Sequence, residues 1–153
     1  MGDLLQPMHL MILMSVFSIF FLLPVIFYIL TLTRALSKCS VASITIEPGM
    51  LWLLLVPLVN LIWHFFVVIG MAKTLSNEFR MRNITNMEPL PGQSIGIAMC
   101  VCGACGIIPF LGLIASLVGF VLWIVYWAKI AEFSRMLDGV PMPGEGQIPR
   151  SNF

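Results

Sequence analysis

Polar and charged positions in this chain gather in a few short stretches, and between them run uncharged segments of membrane length. From His9 to Leu32 there are 24 consecutive residues without a formal charge. As a helix they would reach about 36 Å, against a hydrocarbon core of about 30 Å. From Ser94 to Ala131 there are 38 residues with a single charge, Lys129. A straight helix of that length would run about 57 Å, so the segment has to fold back on itself. The phrase Ile108-Pro109-Phe110-Leu111-Gly112 is where a turn fits. A third apolar stretch opens at Glu47-Pro48-Gly49, carries Pro57 and runs to Met71.

This pattern predicts an all-α membrane protein with four transmembrane helices in a compact bundle, at about 8–32, 49–71, 93–107 and 113–131. They form one domain, 1–138, followed by a flexible Pro/Gly-rich cytoplasmic tail, 139–153. The third span is short and has to thin the bilayer, tilt little or pack inside the bundle. Small residues recur every four positions on the last two spans: Gly92/Gly96, Ala98/Cys102 and Cys102/Gly106, then Gly112/Ser116 and Ala115/Gly119. Such ridges let membrane helices approach closely, which predicts a tight antiparallel hairpin of the third and fourth spans. Pro24 inside the first span reads as a tolerated kink, and the second span carries Pro57.

Two phrases echo each other. Val56-Pro57-Leu58-Val59-Asn60-Leu61-Ile62 parallels Ile108-Pro109-Phe110-Leu111-Gly112-Leu113-Ile114. Ala72-Lys73 with Glu78-Phe79 parallels Ala128-Lys129 with Glu132-Phe133. This suggests a two-helix internal repeat. Segments 73–82 and 130–137 then read as helix ends emerging into water, with Glu78 and Arg82 spaced for an ion pair.

Composition agrees with the pattern: 59% of residues are apolar and 10% charged, where soluble domains carry about 45–50% and 25%. Net charge is +1, with no basic block, so nucleic acid is not an expected partner; the lipid bilayer is. With four alternating crossings, Lys73, Arg80, Arg82, Lys129, Arg135 and Arg150 share one side, and Arg34 and Lys38 the other. The positive-inside rule then predicts both termini in the cytoplasm. Trp123, Tyr126, Trp127 and Lys129 read as an interfacial anchor. Asn83-Ile84-Thr85 fits the glycosylation pattern but falls on the cytoplasmic side, where it would go unused.

The candidate chemistry is sparse. Asn60, Trp63 and His64 form the most informative polar cluster, with Asn60 and His64 one turn apart at mid-membrane depth. Groups there point into the bundle and find a partner, such as Ser15, Ser18 or a carbonyl freed by a proline, or they line a path. Cys100, Cys102 and Cys105 make a C-x-C-x-x-C pattern, but only Cys102 and Cys105 share a helix face. That leaves redox or soft-metal binding beside simple packing. No Asp or Glu lies inside a span, and no metalloprotease, phosphate-loop or Ser/His/acid arrangement occurs, so neither catalytic residues nor a cofactor are expected.

Pro48-Gly49-Met50-Leu51-Trp52, continuing through Val56-Pro57-Leu58-Val59-Asn60-Leu61-Ile62-Trp63 to Phe65 and Val67-Val68, resembles a family of small uncharacterised bacterial integral membrane proteins. Their pattern reads approximately P-G-x-x-W-L-x-L-I-P-L-x-N-L-I-W-x-F-x-V-V. Here Val56 stands for the usual Ile. The resemblance implies a bacterial inner-membrane location and brings no catalytic residue. The expected function is a non-catalytic accessory or scaffold subunit, as a homo-oligomer or in a larger membrane complex. The second expectation is a small oligomeric channel or transporter lined by Asn60 and His64, and the third a redox or metal-binding protein through Cys102 and Cys105.

Overall fold

A computed structural model describes residues 7–85 and 88–141. The described chain is entirely helical: α1 (Pro7–Ser37), a 3₁₀ helix (Pro48–Leu55), α2 (Pro57–Met81), α3 (Gln93–Cys105) and α4 (Leu111–Gly139). Three of these, α1, α2 and α4, are long and apolar enough to cross a membrane. The chain is therefore built as a membrane protein.

Cross-helix pairs give the direction of each element. Tyr28 of α1 meets His64 of α2 at 3.1 Å, and Trp127 of α4 donates to Thr31 of α1 at 2.8 Å. Further along, Lys38 pairs with Asp138 at 2.6 Å, and Arg82 donates to the Leu137 carbonyl at 2.7 Å. Numbers rise together on all three helices, so α1, α2 and α4 run parallel, with their C-terminal ends at one end of the bundle. This corrects the alternating-crossing expectation, which set Arg34 and Lys38 opposite Arg82 and Arg135.

A short return segment makes the parallel arrangement possible. Thr45 Oγ1 donates to the Gly70 carbonyl at 2.9 Å, and Trp63 Nε1 donates to the Met50 carbonyl at 2.8 Å. Residues 45–50 thus climb back along α2, and the 3₁₀ helix continues the climb by about 16 Å at ~2.0 Å per residue. The expected single span 49–71 is broken at Val56, which is extended (φ −88, ψ 109). The cause is Pro57: the residue before a proline avoids the helical region, and the missing proline N–H cannot continue the ladder. Val56 N–H closes on the Leu53 carbonyl at 3.1 Å, and the new helix starts with Asn60 N–H on the Val56 carbonyl at 2.7 Å. Pro24, by contrast, stays inside α1.

Other boundaries shift outward. The first helix continues past 32 to Ser37, and the segments 73–82 and 130–137, expected to emerge into water, are unbroken continuations of α2 and α4 that bury Leu75, Phe79, Ile130 and Leu137. Asn83 (φ 55) caps α2: its N–H meets the Arg80 carbonyl, and Ile84 N–H meets the Phe79 carbonyl. That pair of bonds is a left-handed C-cap with Asn in the position usually taken by Gly. The third helix ends at Cys105, two residues short of the expected 107, and the expected tail beyond Pro141 lies outside the described residues.

Glycines set how closely the helices sit. A Cβ added to Gly96 would fall inside Val68 and stand 2.9 Å from the Tyr126 ring. A Cβ on Gly119 would stand 3.1 Å from the Cys102 Cβ, and one on Gly112 would strike the Gly106 carbonyl. Contacts from Gly96 to Tyr126, Cys102 to Gly119 and Gly106 to Gly112 run in opposite numerical order, so α3 lies antiparallel to α4. Phe110, at the tip between them, takes φ 65 and is 96% exposed.

Replacing Gly96 by Ala should destabilise the bundle by about 1–3 kcal/mol, the usual cost of overpacking. Gly103→Ala, whose Cβ meets nothing within 4 Å, should be neutral or mildly stabilising. Thermal unfolding in detergent by circular dichroism checks the ordering of the two variants.

Candidate functional site

The bundle has two halves of different character. Toward the C-terminal ends of α1, α2 and α4 it is closed by a core that includes Leu32, Leu36, Met71, Leu75, Ile130 and Leu137, all 3% exposed or less. At that closed end sits a carboxylate, Glu78, with no exposure at all. Its Oε2 accepts from Ser40 N–H and Ser40 Oγ at 2.8 Å each and from Ser43 Oγ at 2.5 Å. Its Oε1 accepts from Arg82 Nε at 2.8 Å. Every partner is a donor, the set an ionised carboxylate takes.

Arg82 carries the connection onward. Its guanidinium donates to the carbonyls of Lys38, Leu137 and Val140, so one side chain ties the ends of α1, α2 and α4. Lys38 adds a bond to the Ser134 carbonyl at 2.9 Å. Thr45 and Thr74 share a hydroxyl contact at 2.7 Å beside this set. Burial, and then the Glu78 carboxylate, push the nearby Cys39 thiol up to about 12, and it donates to the Ala35 carbonyl.

The other half is open. A cleft of about 800 Å³ lies between the helices there, and Asn60 and His64 both line it. His64 Nε2 meets the Tyr28 hydroxyl at 3.1 Å. Tyr28 is 2% exposed, so a phenol that only accepted this bond would leave its own hydrogen without an acceptor. The phenol therefore donates, and the imidazole hydrogen sits on Nδ1. Asn60 has no side-chain bond among the described residues, and its Oδ1 is buried without a partner. The partners expected for this pair are corrected: Ser15 donates to the Met11 carbonyl of its own helix, and Tyr28 holds His64. Trp63 faces away from the cluster and bonds Met50.

The remaining expected residues divide. Cys100, Ser116, Gly119, Trp123 and Trp127 line the cleft. Gly96, Cys102, Gly106 and Gly112 lie at helix contacts, while Ala115 is half-buried beside them. Tyr126 does not join Trp123, Trp127 and Lys129 as an interfacial anchor. It is 1% exposed, with its ring 6.4 Å from that of Tyr28. Among the described residues no group of three or more His, Cys, Asp or Glu could hold a metal.

A comparison with protein families, curated proteins and solved structures finds no match for this chain. The chemistry of the cleft and of the closed end is therefore argued from their own atoms. Tyr28, Ser40 and Ser43 escaped the sequence reading. Tyr28 had a signal, since it is the one tyrosine of the first apolar run.

Arg82→Met should cost about 3–5 kcal/mol, because it strands a buried carboxylate. Glu78→Met/Arg82→Met should recover part of that loss, since no unpaired charge then remains buried. Denaturation in detergent measures both. A double variant no more stable than Arg82→Met would contradict the assignment of Glu78 as a buried ionised partner.

Proposed function

We propose that the protein is a non-catalytic multi-pass membrane protein that serves as an accessory or scaffold subunit of a bacterial inner-membrane assembly. The observation that carries this reading is the free half of α1. No described residue from Pro7 to Phe27 is buried, although the segment is about 30 Å long at ~1.5 Å per residue. It offers Met11, Leu13, Val16 and Ile19, all more than half exposed, and its own chain covers none of them. A helix so placed suits packing against another chain, whether a second copy or a larger partner, through van der Waals contact in lipid.

Orientation follows from charge. Arg34, Lys38, Lys73, Arg80, Arg82, Lys129 and Arg135 all belong to the closed end, which the positive-inside rule makes cytoplasmic. The start of α1 then faces the opposite side, in place of the cytoplasmic position that alternating crossings implied. The close approaches at Gly112 and Gly119 support the tight α3–α4 hairpin. Pro57 opening α2 and Pro109 just preceding α4 are compatible with an internal repeat.

A channel or transporter is the second reading, favoured by the unpaired Asn60 beside His64. Against it, the helices beyond the cleft join a buried core that includes Tyr28, Tyr126 and Ile130.

The test is a photo-reactive residue placed at Val16 or Ile19 of the full chain in native membranes. A discrete protein adduct is expected, identified by mass spectrometry as a second copy or a different subunit. Adducts to lipid alone from both positions, together with a monomer on purification, would overturn the assembly reading.

A further inference from the structure

The cleft holds two hydrogen-bond donors that no protein group uses. His64 Nδ1–H and Asn60 Nδ2 find no acceptor among the described residues, and neither is among the buried unpartnered atoms. Both residues line the cleft. They stand four apart on α2 and so on one face, one turn from each other. In hydrocarbon an unanswered donor is costly, and water does not supply the answer as it would at a soluble surface.

Three features narrow what would answer them. The first is depth: Lys73 follows His64 by nine residues on α2, which places His64 about 13 Å inside the charged boundary and Asn60 about 20 Å inside. With a core of about 30 Å, both lie near the midplane. The carbonyls of phospholipid esters belong at the headgroup edge and do not normally reach that depth. The second is charge: no charged residue lines the cleft, so the occupant is neutral. The third is shape: Phe20, Phe120, Trp123 and Trp127 supply aromatic walls, which favour a planar ring.

We infer that the cleft binds a neutral, carbonyl-bearing ring compound dissolved in the hydrocarbon interior, of the isoprenoid quinone class. A ring carbonyl oxygen accepts from Asn60 Nδ2 and His64 Nδ1–H, and the prenyl tail leaves through the open side toward lipid. A volume of about 800 Å³ lies in the range of ordinary ligand pockets, and apolar walls with a few convergent polar groups are their usual make-up. The inference concerns binding alone, with no electron transfer implied. It stands whether or not another chain covers α1.

The experiment uses the full-length protein in nanodiscs of ether-linked lipid, with decylubiquinone as probe and decylbenzene as its carbonyl-free counterpart. Trp123 and Trp127 report binding by fluorescence quenching. Saturable quenching by decylubiquinone that excess decylbenzene does not reverse by displacement is expected. Asn60→Leu should weaken it about tenfold, the loss of one hydrogen bond in an apolar site. Gly103→Leu provides the second variant. Gly103 lines the cleft, and a Cβ there meets nothing within 4 Å, so a leucine plugs the space without disturbing packing and should abolish saturable quenching. Equal binding of both probes, or unchanged binding in both variants, would overturn the inference. So would loss of quinone binding on changing to ester-linked lipid, which would identify a phospholipid carbonyl as the occupant.

Discussion

A buried carboxylate answered by one guanidinium holds the architecture at its closed end. Three long parallel helices have no reason of their own to end together, because lipid is as apolar as their side chains and supplies no drive to bury them. Glu78 and Arg82 provide a specific one. The carboxylate gathers the turn after α1 through Ser40 and Ser43, and the guanidinium reaches the carbonyls that end α1 and α4. The arrangement is all or nothing, since each charge is tolerable out of water only while the other is present. It therefore specifies which helix ends meet more than it adds net stability.

That constraint divides the molecule. Below the level of Tyr28 the helices are held at their ends and packed by large aliphatic and aromatic side chains. Above it no polar contact crosses between α1 and its neighbours among the described residues, and the helices separate into a cleft. Tyr28 stands at the border: its ring packs against Trp123, with centroids 5.4 Å apart, while its hydroxyl holds His64. The same residue belongs to the buried core and fixes the tautomer of the imidazole that lines the cleft. Packing and site chemistry meet in one side chain.

Helical class and membrane character were legible in the sequence because they depend only on run length and charge spacing. The small-residue positions at Gly96, Gly112 and Gly119 were legible too, since close approach demands them wherever the neighbour comes from. Topology was not. Alternating crossings are the default for consecutive spans, and the default failed at Pro57, where a kink inside one span and a break between two short elements read alike. The outcome turned on Val56 adopting an extended conformation so that residues 45–55 could climb back beside α2. Tyr126 misled in a similar way: a tyrosine between two tryptophans looks interfacial, and only the neighbouring helices reveal that it points inward at Gly96.

The contrast between Asn60 and Glu78 bears most directly on function. Both are polar groups on α2, and both sit where an unanswered polar atom is expensive. Glu78 is fully answered by four donors, three of them from two serines whose evident role in this fold is to reach it. Asn60, about five turns earlier on the same helix, has a buried oxygen with no partner and an amide nitrogen with none either. A chain that satisfies one buried group so thoroughly has the means to satisfy another, and Ser116 supplies a hydroxyl in the same cleft. Among the described residues Asn60 Oδ1 lacks a donor and Nδ2 lacks an acceptor, so an unsatisfied Asn60 at the wall of a neutral aromatic cleft is better explained by an absent ligand than by poor packing. The closed end works as a structural clamp, and the open end carries the groups that the proposed ligand answers.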